Sequence, residues 1–266
     1  MKNDQTLSDS EFLRYSRQLL LEDIGPEGQR KLKGASVLIV GLGGLGSPAA
    51  LYLAAAGVGQ LLLADDDQLD LTNLQRQILY RTADIGQTLS NPTSSVSHNK
   101  ARLAQRHLQQ LNPQIRIVAL DTRLTGQVLT DAVANADLVL DCSDNMETRH
   151  QVNAACVTAQ KPLISGSAVG FSGQLLVIEP PYAQGCYACI YPDKELPQRN
   201  CRTAGVLGRV FWGRWSVSSV PCRRWKPLKC SREYHCKLRL FDGKQQSWST
   251  LQLTRAAHCP ACGGGL

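Results

Sequence analysis

The chain of 266 residues is 43% apolar and 19% charged, the balance of a globular protein able to bury one substantial core plus an appendage. No window offers about eighteen uninterrupted apolar residues, and the start, MKNDQTLSDSEFLRYSRQ, is polar and acidic rather than basic and then apolar. A cytoplasmic protein without a membrane span is therefore expected, with cysteines as thiols, nucleophiles or metal ligands. The net charge of +7 suggests nucleic acid at first sight, but residues 209–236 alone carry +6. The rest is nearly neutral, so nucleic acid is not an expected partner.

In chain order, SVLIVG (36–41) is an apolar run stopped by glycine, which reads as a buried parallel strand. GLGGLGSP follows, then the small-residue helix AALYLAAAGVG, and QLLLADDD (60–67) is a second strand. The helix KARLAQRHLQQL (100–111) is stopped by Asn112-Pro113. IRIVALD (115–121) is a third strand, TGQVLTDAVANA a helix, DLVLDCSD (137–144) a fourth strand and ETRHQVNAACVTAQ a helix. PLISGSAVG and GQLLVIEP are strands five and six. After residue 180 come the short strands KLRLFDG and SWSTLQLT, flanked by cysteine pairs. This alternation predicts an α/β, doubly wound, Rossmann-like and mostly parallel sheet. The expected division is residues 1–180 as a nucleotide-binding domain with an N-terminal helical arm. Residues 181–266 extend the same unit as small strands with zinc knuckles.

Between the first strand and its helix lies G-L-G-G-L-G, with Gly41, Gly43 and Gly46. In that position glycines make a tight turn and admit phosphate to the backbone, and the helix N-terminus supplies free N–H groups. Asp65, nineteen residues after Gly46, stands where an acid meets ribose hydroxyls. The alternative is a structural turn. Beyond Asp65 the run DDDQLDLTNLQRQ contributes Asp67, Asn73 and Arg76; Lys100 opens a helix, and D-C-S-D-N puts Asp144 at a strand's carboxyl end. Singly, each is a solvated loop residue. Together on the binding edge they suit a triphosphate with magnesium.

C-Y-A-C (Cys186, Cys189) and C-P-A-C (Cys259, Cys262) are two C-x-x-C turns about seventy residues apart. Four thiolates from two such turns make a closed structural zinc site. The long gap leaves two unrelated turns or a redox pair open. Cys201 sits between Arg199 and Arg202, where positive charge favours the thiolate. Cys142 and Cys156 read as buried spectators, and His107, His150 and His258 suggest no catalytic pair.

RYSRQ, GLGGLGS, D-x-D followed by NLQRQ, and DCSDN together resemble the ThiF–MoeB–HesA family of ubiquitin-activating-enzyme-like adenylyltransferases. The likeness runs from about residue 10 to 208 and resumes at 237. It implies ATP-dependent activation of the C-terminal glycine of a small ubiquitin-fold sulfur carrier ending in Gly-Gly. A thiocarboxylate then forms with sulfur from a separate donor protein. By resemblance Asp65 and Asp67 lie at the ribose, Asn73, Arg76 and Lys100 at the phosphates, and Asp144 holds magnesium. Arg17 reaches the γ-phosphate of a second subunit, which implies a homodimer. The four knuckle cysteines hold zinc, and Cys201 joins acyl or sulfur transfer on a loop. The run NCRTAG is closer to the thiamine (thiazole) branch than to the molybdopterin branch, which is the alternative. Ahead of Lys100 this chain has GQTLSNPTSSVSHNK where the family has a short G-x-P-K. A nicotinamide dehydrogenase would explain only the glycine turn and Asp65. A zinc-containing nucleic-acid-binding module would explain only the basic segment and the cysteine pairs.

Residues 209–236 hold three of the four tryptophans and three of the ten cysteines, where the family has a glycine-studded apolar helix. Codons compatible with RWKPLKCSREYH, read from the third base, yield Leu-Glu-Ala-Val-Glu-Met-Leu-Thr-Gly-Ile-Pro. The Glu is forced by Trp225-Lys226, whereas other third bases are free. The segment is thus compatible with a family helix translated out of frame, in which case the chain could be an inactive relative. A basic aromatic surface, a second metal site (Cys222, Cys230, His235, Cys236) or a disordered stretch are the competing readings.

Overall fold

The structure is a computed structural model that describes residues 6–85, 98–192 and 236–263. The N-terminal arm is α1 (Asp9–Arg14), α2 (Ser16–Leu19) and α3 (Gly25–Lys33). A reciprocal capping box starts α1: the Ser8 hydroxyl accepts from Glu11 N, and a Glu11 carboxylate oxygen accepts from Ser8 N. Buried Tyr15 docks the arm, its hydroxyl accepting from Asn112 Nδ2 at 2.8 Å.

The body alternates β1 (Ser36–Val40), α4 (Gly46–Ala56), β2 (Gln60–Ala64), α5 (Lys100–Leu111), β3 (Arg116–Leu120), α6 (Gly126–Ala134), β4 (Leu138–Asp141), α7 (Met146–Thr158) and β5 (Leu163–Val169). Then follow β6 (Ser172–Ile178), the short α8 (Tyr187–Ile190), β7 (Lys237–Asp242) and β8 (Ser247–Gln252). Among the described residues the strands form one eight-stranded sheet in the order β3-β2-β1-β4-β5-β6-β7-β8. The first five are parallel, and β6, β7 and β8 add antiparallel. The strand order reverses between β1 and β4, where the carboxyl ends of the strands open a crevice.

Each central strand feeds two cores, because successive side chains alternate between sheet faces. Val37, Ile39, Leu61 and Leu63 pack with Leu53 of α4 and Leu103 and Leu108 of α5. Leu38, Val40, Leu62 and Ala64 face the other way, toward Leu129 and Val133 of α6 and Val152 and Cys156 of α7. That second core continues into Cys186, Cys259 and Cys262.

Two strands end earlier than the segments 60–67 and 137–144 expected from the sequence. β2 stops at Ala64 and β4 at Asp141, so Asp65 and Asp144 stand beyond the strands rather than within them. The cause is local: Asp65 accepts from Asp67 N and Asp141 from Ser143 N, and each side chain turns the backbone away from the sheet. Among the described residues no helix is long and apolar enough to cross a membrane.

Candidate functional site

The glycine turn is fixed by contacts that leave no room for a methyl group. Gly41 has φ +87°, and a Cβ there would lie 2.8 Å from the Cys142 carbonyl oxygen. A Cβ on Gly46 would lie 1.8 Å from the Gly41 carbonyl oxygen, so the first turn of α4 sits directly on the loop. Gly43 differs. Its Cβ would meet only Gln77 Nε2, at 3.6 Å, so packing alone does not require glycine there.

Asp65 locks this turn to the end of β2. Its Oδ2 accepts from Leu42 N at 2.6 Å, and its Oδ1 accepts from Asp67 N at 2.9 Å. Burial holds the Asp65 carboxyl above its ordinary value, against the pull of Lys100 and the two N–H groups. Asp67 pairs with Lys100 Nζ at 2.8 Å, the lysine stem buried and the carboxylate half-exposed. Lys100 is held there by Asn99, which caps α5 through Ala101 N and Arg102 N and donates to the Asp65 carbonyl at 2.8 Å. Tyr80 adds a buried hydroxyl that donates to the Leu42 carbonyl at 2.9 Å.

A crevice of about 330 Å³ opens over these strand ends, lined by Gly41, Asp65, Asp67, Arg123, Asp144 and Thr148 among others. Asp144 precedes Asn145, whose side chain caps α7 by accepting from Thr148 N at 2.8 Å. Behind this loop Arg149 is buried: it donates to Ser165 Oγ at 2.9 Å, to the Gly166 carbonyl at 2.9 Å and to the Ser143 carbonyl. Asp141 closes the network by accepting from Ser143 Oγ at 2.6 Å and Ser165 Oγ at 3.1 Å. Arg76 lies on the other side of the glycine turn, beside Gly44, its Nη1 donating to the Thr72 carbonyl at 3.0 Å. Asn73 ends a 3₁₀ turn (Leu71–Asn73), its Oδ1 accepting from Asp70 N.

The fold thus gathers Gly41, Asp65, Asp67 and Asp144 around one crevice, with Lys100 joined to it through Asp67 and with Asn73 and Arg76 in the segment flanking the glycine turn. Arg17 is exposed on α2 and is not among the residues that line the crevice. Cys201, its flanking arginines, Cys222, Cys230, His235 and nearly all of the 88–98 and 209–236 stretches lie outside the described residues. Burial pushes the Cys142 thiol up to about 12 and the Cys156 thiol higher still, so neither is a nucleophile at neutral pH. His107 bonds to Asp84 through Nε2, and His150 meets the Tyr187 ring edge-on. Asn99, Tyr80 and Arg149 were not anticipated from sequence; Asn99 carried a readable signal, an N-cap residue directly before a helix.

The four knuckle sulfurs converge. Cys186, Cys189, Cys259 and Cys262 place their Sγ atoms within 4.8 Å of one another. The separations are 4.0 Å for Cys186–Cys189, 3.6 Å for Cys186–Cys259 and 3.5 Å for Cys189–Cys262. A tetrahedron with metal–sulfur bonds of about 2.3 Å has edges of about 3.8 Å, so the donor set fits zinc. Burial pushes the Cys186 thiol up to about 11. Cys259 is also desolvated, but the N–H groups of Cys262 and Ala261, together with the Cys189 and Cys186 side chains, outweigh this and draw it down to about 7. Four such sulfurs cannot all ionise side by side without a cation among them.

A family model described as the ThiF family matches residues 15–261. The chain is 55% identical over 258 residues to the sulfur carrier protein ThiS adenylyltransferase of Escherichia coli, covering 97% of this chain and 98% of that protein. It is 38% identical over 261 residues to the molybdopterin-synthase adenylyltransferase of Salmonella typhimurium, covering 97% and 98%. The crystal structure of E. coli MccB shares the fold at a TM-score of 0.74 and 23% identity, over 99% of this chain and 75% of that one. With a glycine turn, an acid just past the end of β2 and a strand-end crevice, and with likeness to one family along nearly its whole length, this chain belongs to the ThiF family.

Proposed function

We propose that the protein is an ATP-dependent adenylyltransferase that activates the C-terminal glycine of a ubiquitin-like sulfur carrier for thiocarboxylate formation in thiamine (thiazole) biosynthesis. The observation that carries this reading is the 55% identity, over nearly full length, to a ThiS adenylyltransferase. The crevice supports it, since Gly41 of the glycine turn, Asp65, Asp67 and Asp144 line it and Lys100 pairs with Asp67.

The carrier's carboxylate attacks the α-phosphate of ATP, forming an acyl–phosphate bond and releasing pyrophosphate. The nucleophile is already ionised, so no general base is required. Arg76 and Lys100 stabilise charge developing on the phosphates, and Gly41, Gly43 and Gly46 with the α4 N-terminus position them. Asp144 would hold magnesium, which neutralises phosphate charge when bound. Asp65 and Asp67 hold the ribose, and Arg17 of a second subunit completes the site in a homodimer. Sulfide-level sulfur from a separate protein then attacks the carrier's acyl carbon, forming the C–S bond of the thiocarboxylate as the C–O bond to AMP breaks and AMP leaves, with Cys201 taking part in acyl or sulfur transfer. The four-cysteine centre holds zinc and pins the C-terminus. In this reading the protein works in the cytoplasm, and residues 209–236 are a helix translated out of frame, which a clean resequencing without a family-like alternative frame would refute.

ATP–pyrophosphate exchange with purified protein tests the function. Exchange that requires a Gly-Gly-ended thiamine-pathway carrier is expected. Exchange supported only by the molybdopterin carrier, to whose enzyme the chain is 38% identical, would favour that branch. Absence of exchange with intact protein and either carrier would sink the reading.

A further inference from the structure

Asn153 lies in the middle of α7, is fully buried, and takes no part in the chemistry above. Its amide makes two bonds, both to the first cysteine knuckle. Oδ1 accepts from Tyr187 N at 3.0 Å, and Nδ2 donates to Cys186 Sγ at 3.4 Å. A backbone N–H can only donate, so the amide oxygen must face Tyr187. The NH₂ group must then face the sulfur. Tyr187 is the first residue of α8, and the cap residue Cys186 makes no side-chain capping bond. Another helix therefore supplies the acceptor that α8 lacks locally.

We infer that Asn153 is a positioning residue of the four-cysteine centre, donating an N–H to the Cys186 thiolate while its carbonyl fixes the adjoining backbone. The inference rests on the zinc reading above. Four thiolates around one dication leave a net double negative charge in a buried place, and each N–H aimed at a sulfur relieves part of it. Cys186 is fully buried, so water cannot replace the donor. Cys189, which is partly exposed, takes an N–H from Ala256 at 3.5 Å instead. The same helix carries Asn145, Thr148 and Arg149 at its other end, so Asn153 also joins the metal centre to the helix that borders the crevice.

The test uses full-length zinc-loaded protein and N153L, which keeps the branched side-chain skeleton and removes both bonds. Competition with a chromogenic chelator should find zinc held about 10- to 100-fold more weakly. In cobalt-loaded protein the sulfur-to-metal charge-transfer band should move to longer wavelength, because a thiolate without its hydrogen bond is a stronger donor. A role in packing alone would leave that band in place. Should N153L be insoluble, N153A carries the same two readings. Zinc affinity within twofold of wild type, or an unmoved band, overturns the inference while leaving the metal centre intact. Wild-type protein that binds no zinc overturns both.

Discussion

The two faces of the sheet are sealed by different means. On one, α4 and α5 cover Val37, Ile39, Leu61 and Leu63 with aliphatic side chains. On the other, α6 and α7 cover Leu38, Val40 and Leu62, and the core then runs out into Cys186, Cys259 and Cys262. The first face closes itself through apolar burial. The second ends in sulfurs that converge with Cys189 into a donor set that fits zinc, and sulfurs so placed repel one another when ionised. The difference teaches that a core can be extended past its supply of carbon when metal ligands close the remaining gap.

With zinc in the four-cysteine centre, as proposed, the strongest way to break this contrast is to remove it. Chelation should cost several kcal/mol, a share of the roughly 10–16 kcal/mol that structural zinc contributes in small domains. Amide hydrogen exchange should accelerate in β7 and β8 while β1 and β2 stay protected; uniform loss across the sheet would erase the distinction. Next in size, R76A should lower carrier-dependent pyrophosphate exchange about 10²- to 10³-fold with the melting temperature nearly unchanged. A parallel fall in melting temperature would make Arg76 structural.

Leu61 and Leu62 are neighbours on β2 that point to opposite cores. L61A and L62A should each cost about 2–5 kcal/mol in denaturant titration. The cost of L61A should be the same with and without zinc. That of L62A should couple to the metal by about 0.5–3 kcal/mol. Equal coupling at both would mean the faces are not independent.

The smallest expected effect concerns Asp84, on the carbon-sealed side. Burial raises its carboxyl, but Arg81 N, His107 and Arg106 more than offset this and hold it below its ordinary value. A depressed carboxylate stabilises the fold above the unfolded value of about 4 and loses that contribution as pH falls through the folded one. D84N should therefore cost about 1–3 kcal/mol at neutral pH, with the gap to wild type closing in acid. A gap that persists in acid would point to packing rather than charge.

Much of this was legible in the sequence, and the parts that were not share a physical cause. SVLIV and QLLLA announce buried parallel strands because both faces need apolar side chains. KARLAQRHLQQL was readable to the residue, since Asn99 caps it and Asn112-Pro113 ends it. The strand ends were overestimated because Asp65 and Asp141 turn the chain through side-chain bonds that apolar runs do not reveal. Arg149 and Asn153 look like ordinary polar positions on a helix. Their partners, Ser165, Gly166 and Cys186, are remote in sequence and meet them only in the folded sheet.

The approach to α5 has a consequence for how this protein can be altered. His98 Nδ1 donates to the Asp84 carbonyl at 2.8 Å, Leu69 N donates to the His98 carbonyl at 2.9 Å, and Lys100 N donates to the Asp67 carbonyl at 3.0 Å. These bonds fix the start of α5 through backbone groups and the His98 ring, and none of them uses the Lys100 side chain. K100A should therefore leave the helix where it is and remove only the charge, which circular dichroism of the variant checks.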